Sequence, residues 1–319
     1  MENKNILITG GAGFIGSNMV EKLMSNNNIT VIDNLNNHVG DRFIKKFYNN
    51  KNFNFINSDI LSYDFNKLNN IDIIIHFSAN SDVRYGSDDP EKDFKNNVVV
   101  TQDILEHMRK KDIKEILFAS SSTVYGEADI MPTPENYGPY MPISSYGASK
   151  MANEGFITAY SHYYGIKGSI FRFANIVGKN STHGVIYDFI NKLMKNSNEL
   201  EILGDGTQEK SYMHVSDCVN SMIFIHEKFK KTDIINLGND NTTSVRKIAD
   251  YVVKGMGLKN VKNNFTGGID GRGWKGDVKK TYLAIDKLKK LGWKSRYTSD
   301  QSVEVAVKET IEQVTSPHD

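Results

Sequence analysis

The sequence predicts an α/β fold, a doubly wound parallel sheet followed by a smaller C-terminal α/β lobe. Three observations carry this. Short apolar runs alternate with stretches of helical period through the first half of the chain. The first run leads straight into a glycine-rich turn near the N-terminus. A later run, 71–77, is almost wholly apolar, as suits a central parallel strand covered on both faces. Such a βαβα order implies right-handed crossovers and ligands at the carboxyl ends of the strands.

Taken in order, Asn5-Ile6-Leu7-Ile8 is the first strand and Thr9-Gly10-Gly11-Ala12-Gly13-Phe14-Ile15-Gly16 the turn after it. Phe14, Ile15, Met19, Val20 and Leu23 then recur at helical spacing. Glycine tolerates positive φ and carries no side chain to block a diphosphate, while the free N–H groups of the helix face the phosphates. Taken alone, a glycine triad also serves any tight turn. Asp33 narrows the choice. It closes the second run, Ile29-Thr30-Val31-Ile32, about 20 residues beyond the glycines, where an acid binds the adenosine ribose hydroxyls. Its charge opposes a 2′-phosphate, which favours NAD over NADP. Strand, turn and acid together predict a Rossmann-type, dinucleotide-binding sheet.

A helix-like stretch follows near 40–49, then a third strand over 52–56 running into Asp59-Ile60, and the fourth over 71–77. Pro90 precedes a helix over 91–110, and a fifth strand over 115–119 enters Ser120-Ser121-Ser122-Thr123-Val124-Tyr125-Gly126. Residues 127–145 hold four of the six prolines and read as a loop; a helix over 146–164 and a sixth strand over 168–173 come next. Beyond Ala174-Asn175 the pattern loosens. Helices are expected near 185–195, 216–230, 245–256 (capped by Ser244) and 299–314, with strands at 200–203 and 234–237 and a turn at Gly204-Asp205-Gly206. The expected organisation is a dinucleotide-binding domain over 1–174 and a substrate lobe over 175–319, with a segment near 215–237 returning to the first domain.

The 319 residues carry 39% hydrophobic content and a net charge of +1, enough for a large core and without a basic surplus. No apolar stretch is long enough to span a bilayer. Neither nucleic acid nor a membrane is therefore expected as a partner. Strand one begins almost at the first residue, leaving no room for a signal peptide, and the single cysteine, Cys218, fits a reducing cytoplasm. No His, Cys and carboxylate cluster has metal-ligand spacing, and His76 and His214 read as structural.

Tyr146 and Lys150 are spaced i, i+4, on one helix face. A lysine ammonium beside a phenol stabilises phenolate, as does a positively charged nicotinamide, and so makes tyrosine a base usable near neutral pH. Alone, the spacing equally describes a surface helix; here it follows a serine-rich strand end in a dinucleotide-binding chain.

These pieces give the whole chain a resemblance to the UDP-glucose 4-epimerase group of the extended short-chain dehydrogenase/reductase (NAD-dependent epimerase/dehydratase) family. The matching pieces are the turn at 9–16, Asp33-Asn34-Leu35, Asp59-Ile60, His76-Phe77-Ser78-Ala79, the 120–126 segment and Tyr146-Gly-Ala-Ser-Lys150. Arg172-Phe-Ala-Asn175, Gly204-Asp-Gly206, Tyr212-Met-His214 and Gly276-Asp277 complete them. The resemblance implies Tyr146 as catalytic base and acid, Lys150 as its electrostatic partner, and Ser121 as the hydroxyl on the reacting sugar oxygen. It implies NAD contacts at Gly10, Gly13, Phe14, Ile15, Gly16, Asp33, Asn34, Asn37, Asp59, Ile60, Phe77, Ala79, Asn96 and Phe173, besides Tyr146 and Lys150. Asn96 is chosen over its neighbour Asn97.

On the substrate side it implies Asn175 at the diphosphate and Gly184, Val185 and Ile186 at the uracil. It further implies Lys210 at a phosphate where relatives carry arginine, Asp277 at the ribose, and Thr281 near sugar carbon 2. Trp274 stands where relatives often have arginine, and Arg272 supplies that charge instead. Thr281 is small, which predicts tolerance of N-acetylated sugars. Arg84 is a further candidate for a phosphate contact, with a surface salt bridge as its alternative. Tyr160, Tyr163 and Tyr164 on the 146–164 helix suggest a homodimer face, with core packing as the alternative. The implied activity is redox-neutral C4 epimerisation of a UDP-hexose through a 4-keto intermediate. A UDP-glucuronate 4-epimerase, a sugar-nucleotide dehydratase or decarboxylase, and a non-catalytic NAD-binding sensor are the alternatives. Ser122 and Thr123, where dehydratases carry Asp-Glu and decarboxylases tend to carry Glu before Val-Tyr-Gly, count against both of these.

Overall fold

The structure is a computed structural model that describes residues 1–36, 39–80, 83, 86, 88–268, 272–273 and 278–316. The chain divides into two units. The first comprises Met1–Glu127, Glu135–Phe173 and Val219–Asn236; the second comprises Ala128–Pro134, Ala174–Cys218 and Leu237–Asp319.

In the first unit, β1 (Asn5–Thr9) leads into α1 (Phe14–Leu23) and β2 (Asn28–Asp33), followed by β3 (Phe53–Asn57) and β4 (Ile73–His76). A long helix over 90–111 begins as α2 (Pro90–Asp93), passes through a π-helical turn (Phe94–Val99) and continues as α3 (Val100–Lys111). Then come β5 (Glu115–Ser121), α4 (Ser145–Tyr164) and β6 (Lys167–Phe173). The seven-stranded sheet has the order Asp233–Leu237, β6, β5, β4, β1, β2, β3. Its pairings from β6 through β3 are parallel. All four residues of β4 are buried, as its apolar run requires of a strand with both faces covered. Leu7, Ile74, Ile104, Ile116, Phe118 and Ile170 share one core cluster across the sheet and its helices. Each such side chain contributes roughly 1.5–3 kcal/mol on burial.

One expected element differs. Instead of a helix near 40–49 there is a single 3₁₀ turn, Lys45–Phe47. Its backbone bonds run three residues back, from Phe47 N to Ile44 O and from Tyr48 N to Lys45 O. The buried pair there is the adjacent Phe43 and Ile44, and the Tyr48 ring stacks on Phe55. Those contacts do not follow a helical period.

In the second unit the helices Val185–Lys195, Val245–Gly255 and Ser299–Thr315 share a core of Ile190, Leu193, Ile248, Val252, Val303 and Val307. Strand Asn175–Val177 pairs in parallel with Tyr212–His214, and Glu199–Ile202 with Lys262–Phe265. A three-stranded sheet joins Thr243–Ser244, Glu209–Lys210 and Lys280–Thr281. Ser244 caps its helix by accepting from Lys247 N, and Thr298 and Gln301 form a reciprocal capping box at the start of the last helix.

Candidate functional site

At the carboxyl end of β1 the chain turns through Gly10, whose φ of +70° favours glycine. A Cβ there would stand 2.8 Å from the Ser78 backbone nitrogen, and one at Gly16 would stand 2.1 Å from the Gly10 carbonyl oxygen. The turn, the start of α1 and the chain leaving β4 thus meet backbone to backbone. Gly13 is the N-cap of α1 and offers no side chain to its first turn, the arrangement that suits a bound diphosphate. Phe14 and Ile15 are half-buried. Asp33 closes β2 with its carboxylate accepting from Ala12 N at 3.0 Å and Leu35 N at 2.9 Å. Burial raises its pKa, and these two backbone bonds oppose the rise. Glycine cradle and anchored acid fit a dinucleotide.

Around them Asn34 and Asp59 are exposed, Asp59 accepting from Leu61 N at 2.9 Å, and Ile60 packs against the core. Phe77 and Ala79 are half-buried where β4 ends, and Phe173 ends β6 in register with Ser121. Asn37 and Arg84 lie outside the described residues.

Ser121 is the last residue of β5, two residues longer than the expected strand. Its Oγ accepts from Thr123 N at 3.2 Å and from Thr123 Oγ1 at 3.0 Å, and it lies near enough to the Tyr146 phenol to oppose the rise in its pKa. Tyr146 sits in the first turn of α4, which Ser144 caps through Gly147 N. One turn on, the buried Lys150 donates from Nζ to the Ala119 carbonyl at 2.9 Å and lies 5.6 Å from the Tyr146 ring centre. The three side chains are therefore brought together by the end of β5 and one face of α4.

Their electrostatics refine the expectation drawn from the spacing of Tyr146 and Lys150. Burial pushes the Tyr146 phenol up to about 12, Asp93 adds to the rise, and the Ser121 hydroxyl opposes it. Burial pulls Lys150 down to about 8, against Asp93 and Glu154, which raise it. Lys150 thus spends its ammonium on a carbonyl. The protein's own groups leave the phenol neutral, so ionising it near neutral pH takes a further positive charge.

Several residues around these three were not legible in the sequence. Of the asparagine pair, Asn97 is buried: its Oδ1 accepts from Asn80 N at 2.8 Å and its Nδ2 donates to Ser149 Oγ at 2.8 Å. Asn96, the expected residue, is half-buried in the same π turn. An extra residue in a helical turn changes which of two neighbours faces inward, so the side chain tied to α4 is that of Asn97. Asp93, also buried, accepts from Asn80 Nδ2 at 2.8 Å and Ser145 Oγ at 2.5 Å. Arg172 on β6 is fully buried and bidentate on Glu154, at 2.9 and 2.6 Å, and also donates to the Tyr125 hydroxyl at 2.9 Å. The sequence pattern Arg172-Phe-Ala-Asn175 marked the place but not the partner.

In the second unit, Asn175 N donates to Ser211 O at 3.1 Å. Gly184 has φ +95° and is the N-cap of the helix that Val185 and Ile186 begin. Thr281 is the register partner of Lys210 in adjacent parallel strands, so the two are neighbours, and Arg272 is half-buried. Asp277, with Trp274 and Gly276, lies outside the described residues.

Other conspicuous groups have structural roles. His76 is buried between the Thr9 and Thr101 hydroxyls, at 2.7 and 3.1 Å, and burial, with Lys150 adding, holds it down at about 3. His214 Nε2 meets Glu309 at 2.9 Å. Cys218 is buried, which pushes its thiol up. The Tyr160 hydroxyl bonds Glu106 at 2.6 Å, whereas Tyr163 is 71% exposed. Among the described residues no group of three or more His, Cys, Asp or Glu is placed to hold a metal, and no helix is long and apolar enough to cross a membrane.

Residues 6–238 match the NAD dependent epimerase/dehydratase family. Among solved structures, a UDP-galactose 4-epimerase is 37% identical, with a TM-score of 0.85 over 97% of this chain and 99% of its own. A UDP-N-acetylglucosamine 4-epimerase from Methanobrevibacter ruminantium M1, solved with UDP-N-acetylmuramic acid, is 26% identical, with a TM-score of 0.87 over 98% and 100%. A UDP-glucuronic acid 4-epimerase from Bacillus cereus, solved with UDP-glucuronic acid and NAD, is 27% identical, with a TM-score of 0.87 over 97% and 99%. Glycine turn, anchored acid and the Ser121, Tyr146 and Lys150 cluster agree with the match, and the chain belongs to the NAD-dependent epimerase/dehydratase family.

Proposed function

We propose that this chain is an isomerase that inverts C4 of a UDP-hexose, with NAD held through every turnover. The observation that carries the reading is the meeting of Ser121, Tyr146 and Lys150 at the end of β5, on the unit that holds the glycine turn. NAD, when bound, accepts the hydride from C4, returns it to the opposite face, and brings a positive charge beside the phenol. Tyr146 takes the C4 hydroxyl proton as the C4–H bond breaks, leaving a 4-keto sugar, and gives the proton back on return. Ser121 holds the reacting oxygen, and the buried Lys150 ammonium favours the ionised phenol. Cofactor contacts are assigned to Gly10, Gly13, Phe14, Ile15, Gly16, Asp33, Asn34, Asp59, Ile60, Phe77, Ala79, Asn96 and Phe173; Asn96 keeps its place because it is the half-buried one of its pair, while both ends of the Asn97 amide are bonded to protein groups.

The nucleotide is assigned to Asn175, Gly184, Val185, Ile186, Lys210, Arg272 and Asp277, with Thr281 at the sugar. Lys210 keeps a phosphate-binding charge without arginine's bidentate fork, so that contact is less directional. UDP-glucose and UDP-galactose are the assigned pair, with N-acetylated sugars tolerated. A UDP-glucuronate 4-epimerase is the second reading, favoured by the likeness to the Bacillus cereus structure and by the cations Lys210 and Arg272. A homodimer through the exposed Tyr163 side of α4 is part of the proposal. The test is turnover of UDP-glucose, UDP-N-acetylglucosamine and UDP-glucuronate in parallel by purified protein. Product from the first supports the reading; product from the third alone replaces it with the second.

A further inference from the structure

Two buried carboxylates lie on or against α4, the helix that carries Tyr146 and Lys150, and they differ in what neutralises them. Glu154, one turn along α4, is gripped by both arms of the Arg172 guanidinium, so its charge is compensated where it stands. Asp93 reaches the first residue of α4 from α2. It is 1% exposed, and its hydrogen bonds come from the neutral Asn80 and Ser145 side chains. Ser145 is the first residue of α4 and immediately precedes Tyr146. A Cβ added at Gly86 would stand 2.6 Å from the Asp93 carboxylate and 2.1 Å from Ser145 Oγ, so the backbone closes tightly over this pair.

Building on the epimerase reading, we propose that Asp93 is a positioning residue that keeps Lys150 cationic and restrains ionisation of Tyr146. Its carboxylate does this from a buried seat against Ser145. The same negative charge raises both groups. It favours the lysine ammonium, which burial would otherwise deprive of its proton near neutral pH, and it holds the phenol neutral until a positive charge arrives beside it.

Among the described residues, the remaining charges nearby do not substitute for it. Lys150 faces Tyr146 and Glu154 on its own helix and the Phe118 ring and Ala119 carbonyl of β5. From β4 it faces His76, which burial keeps neutral, and from β6 Arg172 is already bound to Glu154. On the element that carries Asp93, Glu91 is exposed and pairs with Lys95 at 3.0 Å, and Lys92 is half-buried.

The test is the pH profile of kcat for the NAD-loaded enzyme. The acid limb follows ionisation of Tyr146 and the alkaline limb follows loss of the Lys150 proton. Because one charge raises both, Asp93→Asn moves both limbs to lower pH, by about one unit, the scale on which a neighbouring charge acts. Asp93→Glu keeps the charge and shifts its position, and Ser145→Ala keeps the charge and removes a hydrogen bond. Both lower the height and leave the limbs in place. A second readout needs no turnover: the near-ultraviolet phenolate titration of Tyr146, isolated by subtracting Tyr146→Phe, moves to lower pH in Asp93→Asn.

Unmoved limbs and an unmoved phenolate titration in Asp93→Asn overturn the proposal. So does an equal displacement in Ser145→Ala. Where Asp93→Asn fails to fold, Asp93→Ser takes its place with the same expectation. A wild-type protein that turns over no UDP-sugar ends the epimerase reading alone, since the phenolate titration still decides the role of Asp93.

Discussion

Arg172 shows most plainly what a single residue commits this fold to. A guanidinium with no exposed surface is tolerable only because Glu154, Tyr125 and Tyr140 occupy its donors, at 2.6 to 3.1 Å. Removing one side of such a pair strands the other charge, so Glu154→Ala should cost about 3–5 kcal/mol in denaturant unfolding. Combining Glu154→Leu with Arg172→Met should recover most of that loss, because no buried charge remains. An unchanged midpoint for Glu154→Ala would show that water reaches the pair. His76 carries a pH dependence of known sign. Its folded value is about 3, against 6.5 for the free side chain, so between those limits only the unfolded state takes up the proton. Stability is therefore full above 6.5 and falls as pH drops toward 3, by up to about 1.4 kcal/mol per unit. His226, held down at about 4 mainly by burial, titrates through much of the same window. His76→Gln should make the acid slope shallower without abolishing it, as read from urea midpoints across that range; an identical slope would contradict the assignment.

At the scale of elements, the strand–turn–helix of 5–23 was readable because its requirements are local. Apolar runs, glycines and one acid lie within a single stretch of chain. Tyr146 and Lys150 were readable for the same reason, being one turn apart on one helix. The π turn over Phe94–Val99 was not, because it shows only as a change of register, and it decides that Asn97 is the buried one of the asparagine pair. Asp93 with Ser145 and Glu154 with Arg172 were hidden as well, since each joins side chains far apart in sequence. The 40–49 stretch misled because its aromatic residues Phe47 and Tyr48 pack on Phe53 and Phe55 of β3 and do not form a helical stripe. The glycine turn gives the test at this scale. Gly16→Ala places a methyl 2.1 Å from the Gly10 carbonyl oxygen, so backbone must shift. This variant should purify with far less NAD than the wild type, measured as nucleotide released on denaturation; a full complement would contradict the close-packed turn.

For the molecule as a whole, the partition of the chain adds something the order of elements did not reveal: Ala128–Pro134, within the proline-rich loop, belongs to the second unit. Its backbone joins that unit through Thr133, which donates to Tyr282 O and accepts from Ala284 N. In the proposed homodimer, Tyr163, 71% exposed beside the 41% exposed Tyr164, is the apolar surface assigned to a second copy of the chain. Tyr163→Glu should halve the mass found by light scattering; a wild-type monomer would remove the dimer from the account. The proposal assigns Thr281 to the sugar as a small, permissive neighbour, and no turnover of UDP-N-acetylglucosamine would contradict that assignment. The central claim is that NAD stays bound as a reagent restored each cycle and that Tyr146 moves the proton. It is tested most directly by assaying purified wild-type and Tyr146→Phe proteins for UDP-glucose and UDP-galactose interconversion without added cofactor, then measuring the NAD each releases on denaturation. The expected result is turnover by the wild type, equal NAD from both proteins, and a rate lower by about 10²-fold or more in the variant. A near-normal rate in Tyr146→Phe, or a wild type that releases no NAD, would contradict it.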